Sequence, residues 1–216
     1  MRQRSKLVLA LDETDPKKAV VIARKIARMD AIKVGYPLVL SSGLDIVSEL
    51  KGIAPVICDF KIADIPDVNR QIAALAFEAG ASAIISHAFP GSDSLKACVE
   101  EAHGRGGEAF AVVEMSHPGA TDFLQPMTTK MVEKALEAHV DGLIAPGTRP
   151  ERIREVRRQA GDDVWILSPG IGTQGGSAKA AIEAGADFVI VGRSLCKATD
   201  PAKEAKALVE GMGGQL

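Results

Sequence analysis

A single-domain α/β fold, a (β/α)8 TIM barrel, is what the sequence predicts, and three observations carry the expectation. Eight short apolar runs recur along the 216 residues, starting 22 to 34 residues apart. Amphipathic segments of helical period fill most of the intervals. No long linker or change in composition divides the chain, so residues 1–216 read as one domain. Most runs are apolar throughout rather than alternating, as in strands covered on both faces. Such strands, alternating with helices, run parallel and are joined by crossovers. An open doubly wound sheet is the other fold built from these units; the count of eight favours closure.

The elements follow in order. LVLAL at 7–11 is the first strand, and Asp15 before Pro16 opens the first helix, 16–29. That helix places Val20, Ala23, Ile26 and Ala27 on one side and Lys17, Lys18, Arg24, Lys25 and Arg28 largely on the other. AIKV at 31–34 and PVICDF at 55–60 are the next strands, followed by a helix over 66–79. AIIS at 83–86 and EAFAVV at 108–113 flank a helix over 92–103. The interval from Met115 to Pro126 reads as an enlarged loop, and loops of that length usually carry function. A helix over 128–138, GLIA at 142–145, a helix over 150–160 and VWIL at 164–167 come next. Helices over 177–184 and 201–212 enclose the last strand, FVIV at 188–191. Gly80, Gly104, Gly161 and Gly185 stand where helices end.

Composition removes several classes of function. Twenty-six basic against 28 acidic residues leave a net charge of −2, without the basic footprint of a dedicated nucleic-acid binder. Aromatics at 4% are too few for base-stacking platforms. No apolar stretch reaches the ~18 residues of a membrane span, and the apolar part of MRQRSKLVLALDE is too short for a signal-peptide core. Three cysteines, Cys58, Cys98 and Cys196, lack metal-type spacing and read as reduced thiols of a cytoplasmic protein. No His/Cys/acid set has metal spacing, so no metal site is expected.

A barrel of this kind builds its site at the C-terminal ends of the strands. Ionisable residues gather there: Asp12, Lys33, Asp59, Lys61 and Asp64, then His87, Glu114, Ser116 and His117. The opposite strand ends carry mostly plain turn residues. Asp59 and Lys61 are two apart, so in a strand both point into the mouth, beside Lys33 and Asp12. Cys58 then faces the helices. Alternating Lys and Asp satisfy one another's buried charge. The array is either chemical machinery or an ion-pair plug of the barrel.

Glycine loops after the seventh and eighth strands form a second signal. Amides of Gly170, Gly172 and Gly192, with Pro169 at the strand end and Arg193 as a fork, suit a phosphate. Residues 170–175 also match a dinucleotide fingerprint, but Arg193 stands where an acid would grip a ribose. The 149–158 run, RPERIREVRR, reads as a solvated helix. His103 and His139 read as surface residues.

KVGYP at Lys33, DFKIADIP at 59–66, HAFPG at 87–91, EMSHPG at 114–119 and PGIGTQGG at 169–176 together resemble the orotidine 5′-monophosphate decarboxylases of the short, single-domain type. The resemblance runs from Asp12 to Arg193. It implies conversion of orotidine 5′-monophosphate (OMP) to UMP and CO2 in pyrimidine biosynthesis, without cofactor, by a homodimer. It also implies roles. Lys61 protonates C6 of the pyrimidine and Asp59 lies against the substrate carboxylate. Asp64 completes the array from the partner subunit. Lys33 and Asp12 hold the ribose. Ser116 bonds the pyrimidine amide edge, Gln174 bridges base and phosphate, and Arg193 with the glycine amides grips the phosphate. Val68 stands where the family often has a Thr at the shared ribose site. Metal-dependent members of the wider DxKxxD group look to have an acidic ligand where this chain has Lys33.

Overall fold

The computed structural model describes residues 3–26 and 29–214. Eight parallel strands close into a barrel in sequence order. They are β1 (Leu7–Leu11), β2 (Ala31–Gly35), β3 (Val56–Ile62), β4 (Ala83–His87), β5 (Glu108–Val112), β6 (Gly142–Ile144), β7 (Trp165–Pro169) and β8 (Phe188–Val191). Closure is made where Leu7–Leu9 of β1 pair with Val189–Val191 of β8. The helices are α1 (Pro16–Lys25), α2 (Tyr36–Ser42), α3 (Asp45–Lys51), α4 (Pro66–Glu78), α5 (Ser92–Gly104), α6 (Ala120–Glu137), α7 (Pro150–Ala160), α8 (Ala178–Glu183), α9 (Arg193–Cys196) and α10 (Pro201–Gly211). Ala27 and Arg28, assigned above to the two faces of the first helix, lie outside the described residues.

The period of two along each strand divides the core into two layers. Val8, Ile57, Ile85, Phe110, Leu167 and Phe188 fill the barrel. Leu7, Leu9, Cys58, Ile84, Ile166 and Val189 face the helices. Gly142 is required by the inner layer, because a Cβ there would lie 2.8 Å from the Trp165 carbonyl and 2.9 Å from the Phe110 ring.

Two expectations change, and the interval between β2 and β3 gains two helices. Residues 36–51 hold α2 and α3, each seven residues long, too short to display an amphipathic period. The enlarged loop is shorter than expected because α6 starts at Ala120 and runs through Pro126. Pro126 removes only the amide that would reach Asp122, and that turn is exposed to water. The bottom rim is also more than plain turns. Asp30, Asp141 and Asp187 each precede a strand and accept amide hydrogens where a neighbouring strand begins. Asp30 takes those of Arg4, Ser5 and Lys6, Asp141 that of Ala109 at 2.8 Å and Asp187 that of Ile166 at 2.7 Å.

Candidate active site

β2 and β3 carry the polar centre. Their register sets Lys33 beside Ile57 and Gly35 beside Asp59, and Asp12 follows β1 on the other flank. Lys33 Nζ lies 3.3 Å from Asp12 Oδ1 and 3.1 Å from Asp59 Oδ2. Lys61 Nζ donates to both Asp59 oxygens, at 2.8 and 2.9 Å. The side chains of Lys33 and Asp59 are 9% and 8% exposed, that of Lys61 36%. The row therefore opens into a cavity instead of plugging the barrel.

Charge fixes the protonation states of the buried pair. Burial alone would push the Asp59 carboxyl up, but the Lys33 and Lys61 ammoniums outweigh it and hold it low. Burial likewise pulls Lys33 down, and Asp59 and Asp12 more than reverse this. The buried pair is thus a carboxylate and an ammonium.

The backbone at Lys61 is unusual. Its φ is +43°, a left-handed conformation that costs a lysine roughly 1–2 kcal/mol. The pairing of β3 with β4 shifts register between Cys58 and Ile62, so the strained residue lies in a bulge. Phe60 and Ile62 still face the helices with Cys58. The inward direction expected for Asp59 and Lys61 is kept, by a route that simple alternation does not contain.

A cavity of about 350 Å³ extends from this row. Asp12, Lys33, Asp59 and Lys61 line it, and so do Ser116, Pro169, Gly170, Gln174, Gly192 and Arg193. Ser116 Oγ donates to Gln174 Oε1 at 2.9 Å, which ties the loop after β5 to the loop after β7. Gly170 has φ +97°, and a Cβ there would meet Ser116 Cβ at 2.8 Å, so the two loops touch only because it is glycine. Among the described residues the Arg193 guanidinium has no hydrogen-bond or ion-pair partner, which leaves a free fork at the glycine-lined end. The apolar wall, Ala10, Ile85, Val112, Ile144 and Ile190, comes from strand interiors that the sequence reading assigned only to the core.

Two expected site residues stand elsewhere. Asp64 is exposed and absent from the cavity wall; its carboxylate accepts the Ile65 amide at 2.7 Å. Within one chain it does not reach the row. The Gly172 amide donates to the Gly176 carbonyl at 2.9 Å, so it is spent inside its own loop and does not face an anion.

Glu114 follows β5 but serves the framework. It is fully buried, 3.1 Å from Arg149, 2.8 Å from Arg152 and 2.9 Å from the Thr128 hydroxyl. Arg149 and Thr148 also donate to the carbonyls of Met115 and Ser116. The helix expected over 149–158 is solvated along most of its outer face and buries Ile153 and Val156; the departure is at its start, where Arg149 and Arg152 turn inward and are only 19% and 17% exposed. His87 ends β4 against Phe89, with ring centroids 4.9 Å apart. Its Nδ1 is buried without a partner among the described residues. Burial first, then repulsion from Lys61, lowers its pKa to about 4, and the ring is neutral.

Comparison with known proteins agrees with this geometry. A family model described as Orotidine 5'-phosphate decarboxylase / HUMPS family matches residues 5–208. The chain is 50% identical to the orotidine 5'-phosphate decarboxylase of Methanosarcina acetivorans, over 100% of this chain and 98% of that protein. It is 49% identical to that of Thermococcus kodakarensis, over 96% and 97%. A crystal structure of orotidine 5'-monophosphate decarboxylase from Methanocaldococcus jannaschii, complexed with inhibitor BMP, superposes with TM-score 0.92 at 42% identity, covering 98% of this chain and 99% of that one.

Proposed function

The chain belongs to the Orotidine 5'-phosphate decarboxylase / HUMPS family and is a decarboxylase, and from that premise we propose how its residues carry the reaction. The substrate is OMP, the products UMP and CO2, and the reaction uses neither metal nor organic cofactor. Residues 1–216 act as one catalytic domain, in the cytoplasm, as a homodimer.

The bond from C6 to the carboxylate breaks and its electron pair stays on C6. Lys61 meets that charge as an ammonium and then donates its proton to C6. Asp59 lies against the departing carboxylate and, with Lys33, holds the Lys61 ammonium in line. Lys33 and Asp12 take the ribose hydroxyls. Ser116 and Gln174 read the pyrimidine edge. Arg193, with Gly170 and Gly192 beside it, takes the phosphate, whose remote binding energy is spent on closing the loop at 170–176. Asp64, exposed in one chain, reaches the row of the partner subunit. Enzymes lower barriers by roughly 8–23 kcal/mol, and a carbanion that its ring cannot delocalise requires the upper end.

One observation carries the reading. An ammonium 36% exposed, held by a buried carboxylate, opens on the same cavity as a guanidinium that has no partner among the described residues. A spectrophotometric assay with OMP in excess EDTA tests it: full turnover is expected, and activity restored only by added Mg²⁺ would assign the chain to metal-dependent chemistry instead.

A further inference from the structure

Tyr36 has no part in the mechanism above, yet it touches the peptide that matters most to it. It is the first residue of α2, directly after β2. Its ring stacks on Phe60, with centroids 5.8 Å apart and planes at 19°. Its hydroxyl donates to the Phe60 carbonyl. That carbonyl belongs to the rigid peptide joining Phe60 to Lys61. The φ angle of Lys61 is the rotation of this peptide about the Lys61 N–Cα bond. A group gripping the carbonyl oxygen therefore restrains that angle directly.

Lys61 has no strand pair of its own in either ladder. The β2–β3 register ends at Gly35 and Asp59, and the β3–β4 register shifts between Cys58 and Ile62. Lys61 lies beyond the last β2–β3 pair and inside the β3–β4 register shift, and a left-handed lysine relaxes unless its surroundings hold it. Tyr36, the next residue after the last β2 pair, extends the contact with its side chain. Half of Tyr36 stays exposed; partial covering of the phenol, then the nearby Asp59 charge, raises its pKa, so the hydroxyl keeps the proton that it donates. Tyr36 is not on the cavity wall.

We propose that Tyr36 is a positioning residue, whose hydroxyl holds the Phe60 carbonyl and so keeps Lys61 left-handed, with Nζ on the cavity side of Asp59. The proposal rests on Lys61 being the proton donor. Tyr36→Phe keeps the stacked ring and deletes only the donor. It should lower kcat on the order of 10- to 100-fold, with KM for OMP and Kd for UMP within about threefold of wild type. A crystal structure of the variant should show Lys61 at negative φ and its Nζ displaced from Asp59. Wild-type kcat overturns the proposal. So does a rise in KM and Kd at unchanged kcat, which makes the hydroxyl a binding group. So does a loss of folded, UMP-binding sites that accounts for all the lost activity. Wild-type protein inert toward OMP would refute the reaction assignment instead. The crystal structure would then still decide the proposal, and φ near +43° with the Lys61–Asp59 contact intact would refute it.

Discussion

Two buried carboxylates at the same end of the barrel meet the same problem in different ways. Asp59 and Glu114 each lie between two cations, and neither charge survives burial unpaired. Asp59 uses two lysines; Glu114 uses two arginines and the Thr128 hydroxyl. Arginine keeps its proton, and its planar fork fills a carboxylate's lone pairs in a fixed geometry. Lysine is a point charge on a flexible stem and can surrender a proton. The Glu114 group is closed on all sides and fixes the backbone at 114–116. The Asp59 group is left open, because both of its lysines line the cavity and the Lys61 side chain is 36% exposed. Lysine stands where charge must be delivered, arginine where it must stay.

The largest effect should come from breaking the open group. Lys61→Ala is expected to cost at least ~10⁴-fold in kcat while the protein stays folded. Asp59 keeps Lys33 at 3.1 Å, and alanine keeps the Cβ, so the backbone cost at this position is unchanged. Steady-state kinetics beside a urea melt check both halves; activity within about tenfold of wild type would remove Lys61 as the acid. Breaking the closed group should act on stability. Glu114→Ala strands two guanidiniums and should cost about 3–5 kcal/mol, read from the urea midpoint. An unchanged midpoint would mean that the arginines find water instead.

Arg193 sharpens the contrast, as an arginine with no carboxylate among the described residues. Arg193→Ala should lower kcat/KM by about 10²–10³-fold and change stability by no more than ~0.5 kcal/mol. Equal kcat/KM in variant and wild type would remove the phosphate assignment.

How much of this the sequence disclosed depends on whether the relevant physics repeats along the chain. β1 and β8 are legible to the residue, because Asp12 and Gly192 end their apolar runs. β3 continues to Ile62, two residues past its apolar run, because charged Lys61 interrupts the pattern but not the strand. The polar row was readable from DFKIAD, since a period of two puts Asp59 and Lys61 on one face. The left-handed turn that presents Lys61 was not, because a bulge has no periodicity. The partners of Glu114 are not legible for a related reason. Arg149 and Arg152 sit in a run of alternating charge, and sequence alone gives no sign that α7 meets a buried carboxylate from β5. The bottom-rim aspartates carry no pattern, because each is a single residue before a strand.

His87 offers the smallest effect and a third solution beside Lys61, a partly buried ring kept neutral. Its folded pKa is about 4, against ~6.5 in an unfolded chain. Between these values the unfolded state binds a proton that the native state refuses. Stability from this group is therefore complete above pH ~6.5 and is lost as pH falls toward 4. The ring is partly exposed, so the loss should be about 2 kcal/mol rather than the full linkage value. Asp59 does not contribute in this window. Its lowered pKa makes its stabilisation disappear only below the unfolded carboxyl value of ~3.9. Urea unfolding of wild type and His87→Gln at pH 7 and pH 4.5 separates the cases. The wild type should lose more stability than the variant across that interval. Parallel losses would mean that His87 is protonated in the folded protein, and the neutral ring beside Lys61 would have to be given up.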